Sequence, residues 1–416
     1  MSPRDGGRGP AAQVVAVPLK EFAGWGGGID FVRLILEGLV RDPDRRVVAL
    51  IPRPTVTRRL RKGVEAVLGS LGGLFRGRLA WRLDLPIRAG AVRAAIADFE
   101  PRISVRTYPD SGRGLRAALR RVKADAAIPC IRPLAASCPV PWVGYIYDFQ
   151  HRHFPELFSE AERAGRDATF ARMLERAAVV ICNSEAVRDD AERFHPGSAP
   201  KIIALPFAPI PRLEWFDLDP APARRRHQLP ECYFIVCNQF WIHKDHSTAI
   251  RAFKAFLDRG GDPGAALVCT GKLADYRDPS YPETIHALIA DLGLEGQVRL
   301  LGHIPKQDQI ALLRGAMAVL QPTWFEGGRG GGAVTDALAL GVPALVSDIP
   351  VNLEIVHDGC RFFPKADPAA LATLMLELAA AEPARPTKAE LLVRAEAGLQ
   401  ELAASLAGAI ERAQRP

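Results

Sequence analysis

The sequence predicts an α/β protein built from two doubly wound parallel-sheet units in tandem. Three observations predict it. Short Val- and Ile-rich runs alternate with amphipathic segments of helical length along most of the 416 residues, the pattern of strands buried on both faces and joined by helical crossovers. The rhythm stops at a stretch, 206–230, holding six prolines, and then restarts. The charge also divides there: residues 1–230 carry 37 Lys/Arg against 25 Asp/Glu, and residues 231–416 carry 17 against 22. A chain of this length exceeds one ordinary domain, so a division is expected.

Taken in order, the first unit is expected to place strands at 14–17, 47–51, 103–107, 126–130, 143–147, 179–182 and 202–205. Its clearest helices are 29–40, which follows a glycine run, and 160–177. Proline fixes φ and lacks an N–H, so the stretch 206–230 is expected to be neither helix nor central strand but a linker. The second unit is expected to place strands at 233–237, 266–269, 298–301, 318–320 and 344–346. A last helix opens at Thr387 and Glu390, which have capping-box spacing after Pro383 and Pro386. Its Leu392, Ala395, Leu399, Leu402 and Leu406 recur every three or four residues and predict one packed side. The expected organisation is therefore 1–207, a linker 208–230, 231–385, and a C-terminal helix 386–416 that packs on one side, with the first unit as a candidate support.

Composition excludes several classes. At 48% hydrophobic and 24% charged, the chain has the make-up of a soluble globular protein. It has no run of about 18 apolar residues that would span a bilayer, and residues 1–10 lack the apolar core of a secretory signal. Seven scattered cysteines without a C-x-x-C pair read as reduced thiols in a cytoplasmic protein. A basic half with few interleaved aromatics argues against a nucleic-acid partner.

The densest chemical signal runs from Trp324 to Asp336. A strand ends near Gln321, glycines follow at 327, 328 and 330–332, and a helix begins near Gly331. Glycines let a ligand approach the backbone, and the free N–H groups of a helix's first turn attract anions. Glu326 and Asp336 flank this turn and are expected to reach the same ligand.

This segment resembles the signature of the retaining nucleotide-sugar glycosyltransferases of family 4, in which Glu-Gly-Phe-Gly is followed by a second Glu eight residues after the first. Other pieces resemble the family too: Asn238 to His246, Thr270-Gly271-Lys272, Leu301-Gly302-His303 and Ser347 to Glu354 in the second half, and Gly24 to Gly28, Tyr147 to His153 and Asn183-Ser184-Glu185 in the first. The resemblance implies the GT-B fold, two Rossmann-like domains facing across a cleft, with the donor on the second and the acceptor on the first. It implies that Lys244 is a catalytic diphosphate cation, that Glu326 orients the donor sugar, that Gly327 and Gly328 make close backbone contacts, and that His303 lies near the base. Asn238, Gln239, Gly271, Gly331, Gly332 and Asp336 complete the implied donor site. Asp148 and His153 are the implied catalytic groups of the first domain, with Gly26, Gly27, Gly28 and His151 on the acceptor side.

Two departures qualify this. Asp336 stands ten residues after Glu326, and Gln239 occupies the place, five before Lys244, where many relatives carry an Arg. A leaving diphosphate develops about three negative charges, and a helix start supplies about half a positive one, so a second cation is expected. Arg329 is the candidate, with Lys272 or a bound metal ion as alternatives. The pair Asp217 and Asp219 matches a short metal motif of another glycosyltransferase fold but lies in the linker, so no metal site is expected there.

The expected activity is hexosyl transfer with retention, from a GDP- or UDP-sugar and without a further cofactor, mannose being a common family choice. The acceptor expected is a saccharide, lipid-linked or free, as in surface polysaccharide or lipopolysaccharide assembly. Residues 51–93 hold ten basic and two acidic residues with Leu71, Leu74, Phe75 and Trp81 nearby, a mixture suited to peripheral contact with the inner face of a membrane. A nucleotide-sugar epimerase and a catalytically weak nucleotide-sugar-binding protein are the alternatives.

Overall fold

The computed structural model of the protein describes residues 12–22, 26–53, 89–381 and 384–415. Both expected sheets are present and every strand pair is parallel. The first contains β1 (Gln13–Pro18), β2 (Arg45–Arg53), β3 (Ser104–Pro109), β4 (Ala126–Cys130), β5 (Trp142–Tyr145), β6 (Val179–Cys182) and β7 (Ile202–Ala204). Their spatial order is β3-β2-β1-β4-β5-β6-β7. The second contains β8 (Tyr233–Cys237), β9 (Ala266–Thr270), β10 (Val298–Gly302), β11 (Val319–Gln321), β12 (Ala344–Ser347) and β13 (Cys360–Phe363), in the order β10-β9-β8-β11-β12-β13. Each order reverses once, between β1 and β4 and between β8 and β11. Ligands of doubly wound sheets bind in the crevice that such a reversal opens at the carboxyl ends of the strands.

Each sheet is apolar on both faces. In β1, Val15 and Val17 point into one core, and Val14 and Ala16 into another. The last helix, Lys388–Gln414, returns to the first sheet: Leu402, Leu406, Ala409, Ile410 and Ala413 pack with Val15, Val17 and Val143. It runs against the helix Gly26–Leu39, where a side chain on Gly38 would stand 2.7 Å from Leu406 Cδ1. The helix begins with the expected capping box of Thr387 and Glu390. Ala395, Leu399, Leu402 and Leu406 are buried as expected, while at the start of the row Leu391 is buried in place of Leu392.

The proline-rich stretch is a correction. It contains a helix, Pro220–Arg226, whose start is capped by Asp219, the carboxylate accepting from Ala221 N at 2.9 Å. Pro220 takes the first helical position, where its missing N–H costs nothing. Trp215 and Ala223 are buried with Tyr233 and Ile235 beside the second sheet, so this stretch packs onto that core. Strand β13 was also absent from the expectation: its four residues include Arg361 and follow Asp358-Gly359, which masks so short a run. The basic run 58–62, Leu71, Leu74, Phe75 and Trp81 lie outside the described residues. No helix among the described residues is long and apolar enough to cross a membrane.

Candidate functional site

The two sheets meet carboxyl end to carboxyl end. A side chain on Gly327, in the loop after β11, would stand 2.2 Å from Tyr147 O, just beyond β5. One on Gly328 would stand 3.2 Å from Asn183 Cβ, just beyond β6. Glycine at 327 is therefore what lets the two units touch here.

Behind this contact, at the reversal of the second sheet, lies a chain of buried polar groups. Asn238, at the end of β8, donates through Nδ2 to Gln321 Oε1 at 2.7 Å. Gln321, at the end of β11 and fully buried, donates through Nε2 to Glu326 Oε1 at 2.8 Å. The Lys244 ammonium bonds the same carboxylate oxygen. The lysine loop is pinned by Asp245, which caps the helix His246–Asp258 and accepts from Trp324 Nε1 at 2.7 Å. Thr323 Oγ1 adds a bond to His243 O at 3.1 Å. Lys244 and Glu326 are thus set by two loops tied together through backbone and indole, not by chance rotamers.

The helix after the glycines runs Gly331–Ala339, with Gly330 as its cap at φ 66°. A side chain on Gly331 would stand 3.3 Å from the Glu326 carboxylate. The carboxylate thus sits beside both cationic features of the site, the helix start and Lys244. Gly332 has no heavy atom within 4 Å of where its side chain would stand, leaving the first turn open. Around the rim, Gln239 Oε1 accepts from Lys272 N at 3.1 Å, Gly271 N donates to Gly302 O at 2.8 Å, and His303 is exposed just beyond β10. Gln239, which replaces an expected cation, shapes the loop that carries Lys272.

Asp336 has its own cation, apart from the Glu326–Lys244 pair: it bonds Lys306 at 2.6 Å, a turn deeper along the helix. Burial would lower the Lys306 ammonium, but the carboxylates of Asp336 and Asp30 outweigh it and raise it. Arg329, the expected second cation, is engaged by groups of both units. Its NH1 donates to Asn183 O at 3.1 Å and Leu205 O at 2.8 Å, and its NH2 pairs with Glu354 at 2.8 Å. Glu354 in turn accepts from Glu185 N at 2.9 Å and Ala186 N at 2.7 Å, capping a helix of the first unit, Glu185–Phe194. The extra loop residues therefore reach across the molecule. Ser184 Oγ adds a bond to Gly327 O at 3.4 Å.

On the first unit, His153 is held by Asp190 at 2.7 Å and lies 5.3 Å, ring to ring, from Phe325, the neighbour of Glu326. It lines the contact between the two units. His151 points the other way: it is fully buried, bonded to Asp167 at 2.8 Å, and burial, resisted by that bond, lowers its pKa. Asp148 is occupied by the Arg166 guanidinium and by Gln150 N at 2.9 Å. Gly26, Gly27 and Gly28 open the helix Gly26–Leu39.

Arg277 was missed by the sequence reading. It bonds Asp275 at 3.4 Å, Gln150 Oε1 at 3.3 Å and His243 Nδ1 at 3.3 Å. Arg166 and Arg277 both lie over the Phe158 ring, their guanidinium carbons 5.1 and 5.7 Å from its centroid. Burial, then Lys244 and Arg277, push the His243 pKa well down, so this imidazole is neutral beside two cations. No local pattern around Arg277 marks it, because its partners come from both units.

Fold and site together define a class: two parallel-sheet α/β domains joined at their carboxyl ends, the GT-B arrangement of glycosyltransferases. Residues 221–390 match the family model described as glycosyl transferases group 1. Among solved structures, the chain is similar to HepE of Anabaena in complex with UDP and glucose, at 14% identity and TM-score 0.58 over 94% of this chain and 95% of that one. It is similar to sucrose-phosphate synthase of Thermosynechococcus elongatus at 16% identity and TM-score 0.57, covering 97% and 94%. It is also similar to WaaG, a glycosyltransferase involved in lipopolysaccharide biosynthesis, at 15% identity and TM-score 0.52, covering 96% and 98%.

Proposed function

We propose that the protein is a glycosyltransferase that moves a hexosyl group from a nucleotide sugar to a saccharide acceptor, with retention of configuration. The observation that carries the reading is the buried chain Asn238–Gln321–Glu326–Lys244 at the reversal of the second sheet, beside an open helix start. Transfer passes through an electron-poor sugar while negative charge gathers on the departing diphosphate. Fixed donors aimed at that charge are the main lever on rate. In this reading the diphosphate engages Lys244 and the N–H group of Gly332, while the Gly331 N–H stays on Gly328 O at 3.2 Å. Glu326, released from the lysine but still held by Gln321, accepts from the donor sugar's hydroxyls. Gly271, Lys272 and His303 border the nucleoside, and UDP or GDP is the carrier.

Arg329 is assigned to holding the two domains together, and the second diphosphate cation to Lys272 or a metal ion. His153, with Asp190 behind it, faces the transfer site from the acceptor domain and is the group there best placed to exchange a proton. The domains are assigned as 1–207 and 231–385, with the segment between them packed on the second and 386–416 on the first. A lipid-linked acceptor at the inner face of a membrane, in surface polysaccharide assembly, fits the basic first half.

The test is incubation with UDP- and GDP-sugars and a panel of free and lipid-linked saccharides, following nucleoside diphosphate and product by mass spectrometry. Acceptor-dependent release matched by a glycosylated product supports the reading. Isomerised sugar without an acceptor assigns an epimerase instead, and saturable nucleotide binding without turnover assigns a binding protein.

A further inference from the structure

Part of the basic character of the first half lies at a feature that donor and acceptor chemistry does not use. At the β3 edge of the first sheet, a groove of about 610 Å³ runs between β2, β3 and the helix Gly112–Val122. Its origin is local. The helix turns Gly114, Ala117 and Ala118 toward the sheet, positions three and four apart that share one face. Such small side chains cannot fill the space above Val48 and Ser104. At one end the helix closes down on the strand, since a side chain on Gly114 would meet Pro109 O at 2.1 Å.

Four arginines line this groove: Arg46, Arg53, Arg106 and Arg121. None of its described lining residues is an Asp or Glu. Arg46 donates to Val122 O at 3.1 Å and Arg106 to Val105 O at 3.0 Å. Among the described residues no ion pair joins any of the four to an acid, so within the groove their charges stand uncompensated. Uncompensated like charges around a concavity repel one another and focus a positive potential into it. The guanidinium fork matches phosphoryl oxygens in geometry as well as charge, and the Ser104 and Thr107 hydroxyls line the same groove.

The charge count selects among anions. Four guanidinium groups line the groove, whereas one phosphate group carries about two negative charges at neutral pH, so a ligand with two or more phosphoryl groups matches the charge of the groove where a single phosphate does not. The groove is four strand positions from β5, about 19 Å, and so is separate from the site around Glu326.

We propose that this groove binds an anionic ligand carrying two or more phosphoryl groups. The full-length protein is titrated calorimetrically with inorganic tripolyphosphate at low salt, and sedimented with phosphatidylglycerol vesicles, beside the Arg106→Ala/Arg121→Ala variant. Both positions are exposed, and a thermal melt checks that the variant is folded. Saturable tripolyphosphate binding, weakened at least tenfold in the variant and partly restored by Arg106→Lys/Arg121→Lys, is the expected result and identifies a soluble phosphoryl ligand. The same variant-sensitive loss seen only with vesicles identifies lipid headgroups as the source of those phosphates. Wild type and variant binding alike, or neither probe binding, overturns the proposal. UDP titrated into both proteins reports separately on the transfer reading, because its site does not include these arginines.

Discussion

Replacing Arg329 with alanine separates two roles that the sequence left open. The guanidinium is 10% exposed and joins Glu354 to the carbonyls of Asn183 and Leu205. Glu354 belongs to the same domain as Arg329, so separation of the domains breaks only the two bonds to the carbonyls and returns those groups to water, each worth a net of about 1 kcal/mol rather than the full strength of a buried charged bond. Two contacts give about 2 kcal/mol, or roughly thirtyfold in the balance between closed and open forms. Glu354 keeps its bonds to Glu185 N and Ala186 N, so the closed form is weakened and not abolished. Small-angle scattering of wild type, Arg329→Ala, Glu354→Ala and the double variant reads this balance. Both single variants are expected to enlarge the radius of gyration, with the double variant short of additive because the two residues share a contact. An unchanged scattering profile together with a hundred- to thousandfold fall in turnover, the loss typical of a missing transition-state donor, would refute the assignment and return Arg329 to the diphosphate.

Lys244→Ala is expected to lower kcat by about a hundred- to a thousandfold, and steady-state kinetics with turnover within threefold of wild type would contradict the charge argument. Gly327→Ala puts a methyl group 2.2 Å from Tyr147 O; the variant is expected to fold, to show the open scattering profile, and to lose most of its turnover. Acid weakens the protein through buried histidines: burial, then Lys244, lowers the His246 pKa from 6.5 to about 3. The unfolded chain therefore takes up a proton below pH 6.5 that the folded one refuses, and stability falls as pH drops from 6.5 towards 3. At pH 5 this residue alone accounts for about 2 kcal/mol. Urea midpoints at pH 7 and 5 for wild type and His246→Phe measure it, and equal pH dependence in the two proteins would exclude this cause.

Much of the fold was legible because its signals are local. Val and Ile runs mark strands buried on both faces, and β4, β6 and β8 run over the residues expected from the sequence. The capping box of Thr387 and Glu390 needs only residues three apart. Asp219 before Pro220 is a local helix signal too, but the count of prolines hid it. The β13 strand, four residues after Asp358-Gly359 and interrupted by Arg361, was too short for its pattern to stand out, and it pairs along the edge that β12 offers.

The glycines, Lys244 and Glu326 could be singled out from the order of residue types, since an anion site needs a turn, a helix start and a cation in sequence. Their partners could not. Gln321 matters because β8 and β11 are neighbours across a topological reversal, and Arg277 because Gln150 and Phe158 approach it from the other sheet. Arg329 carries the clearest lesson: its charge called for an anion, and the nearest one proved to be Glu354 together with first-sheet carbonyls. The sequence by itself determined two doubly wound sheets, the glycine-rich helix start and the uneven charge of the halves, because hydrophobic period, turn chemistry and composition are properties of neighbouring residues. Only the tertiary structure decided which cations face a ligand, which clasp the domains, and which lie unpaired along an edge groove, because ion pairing depends on distances between segments far apart in the chain.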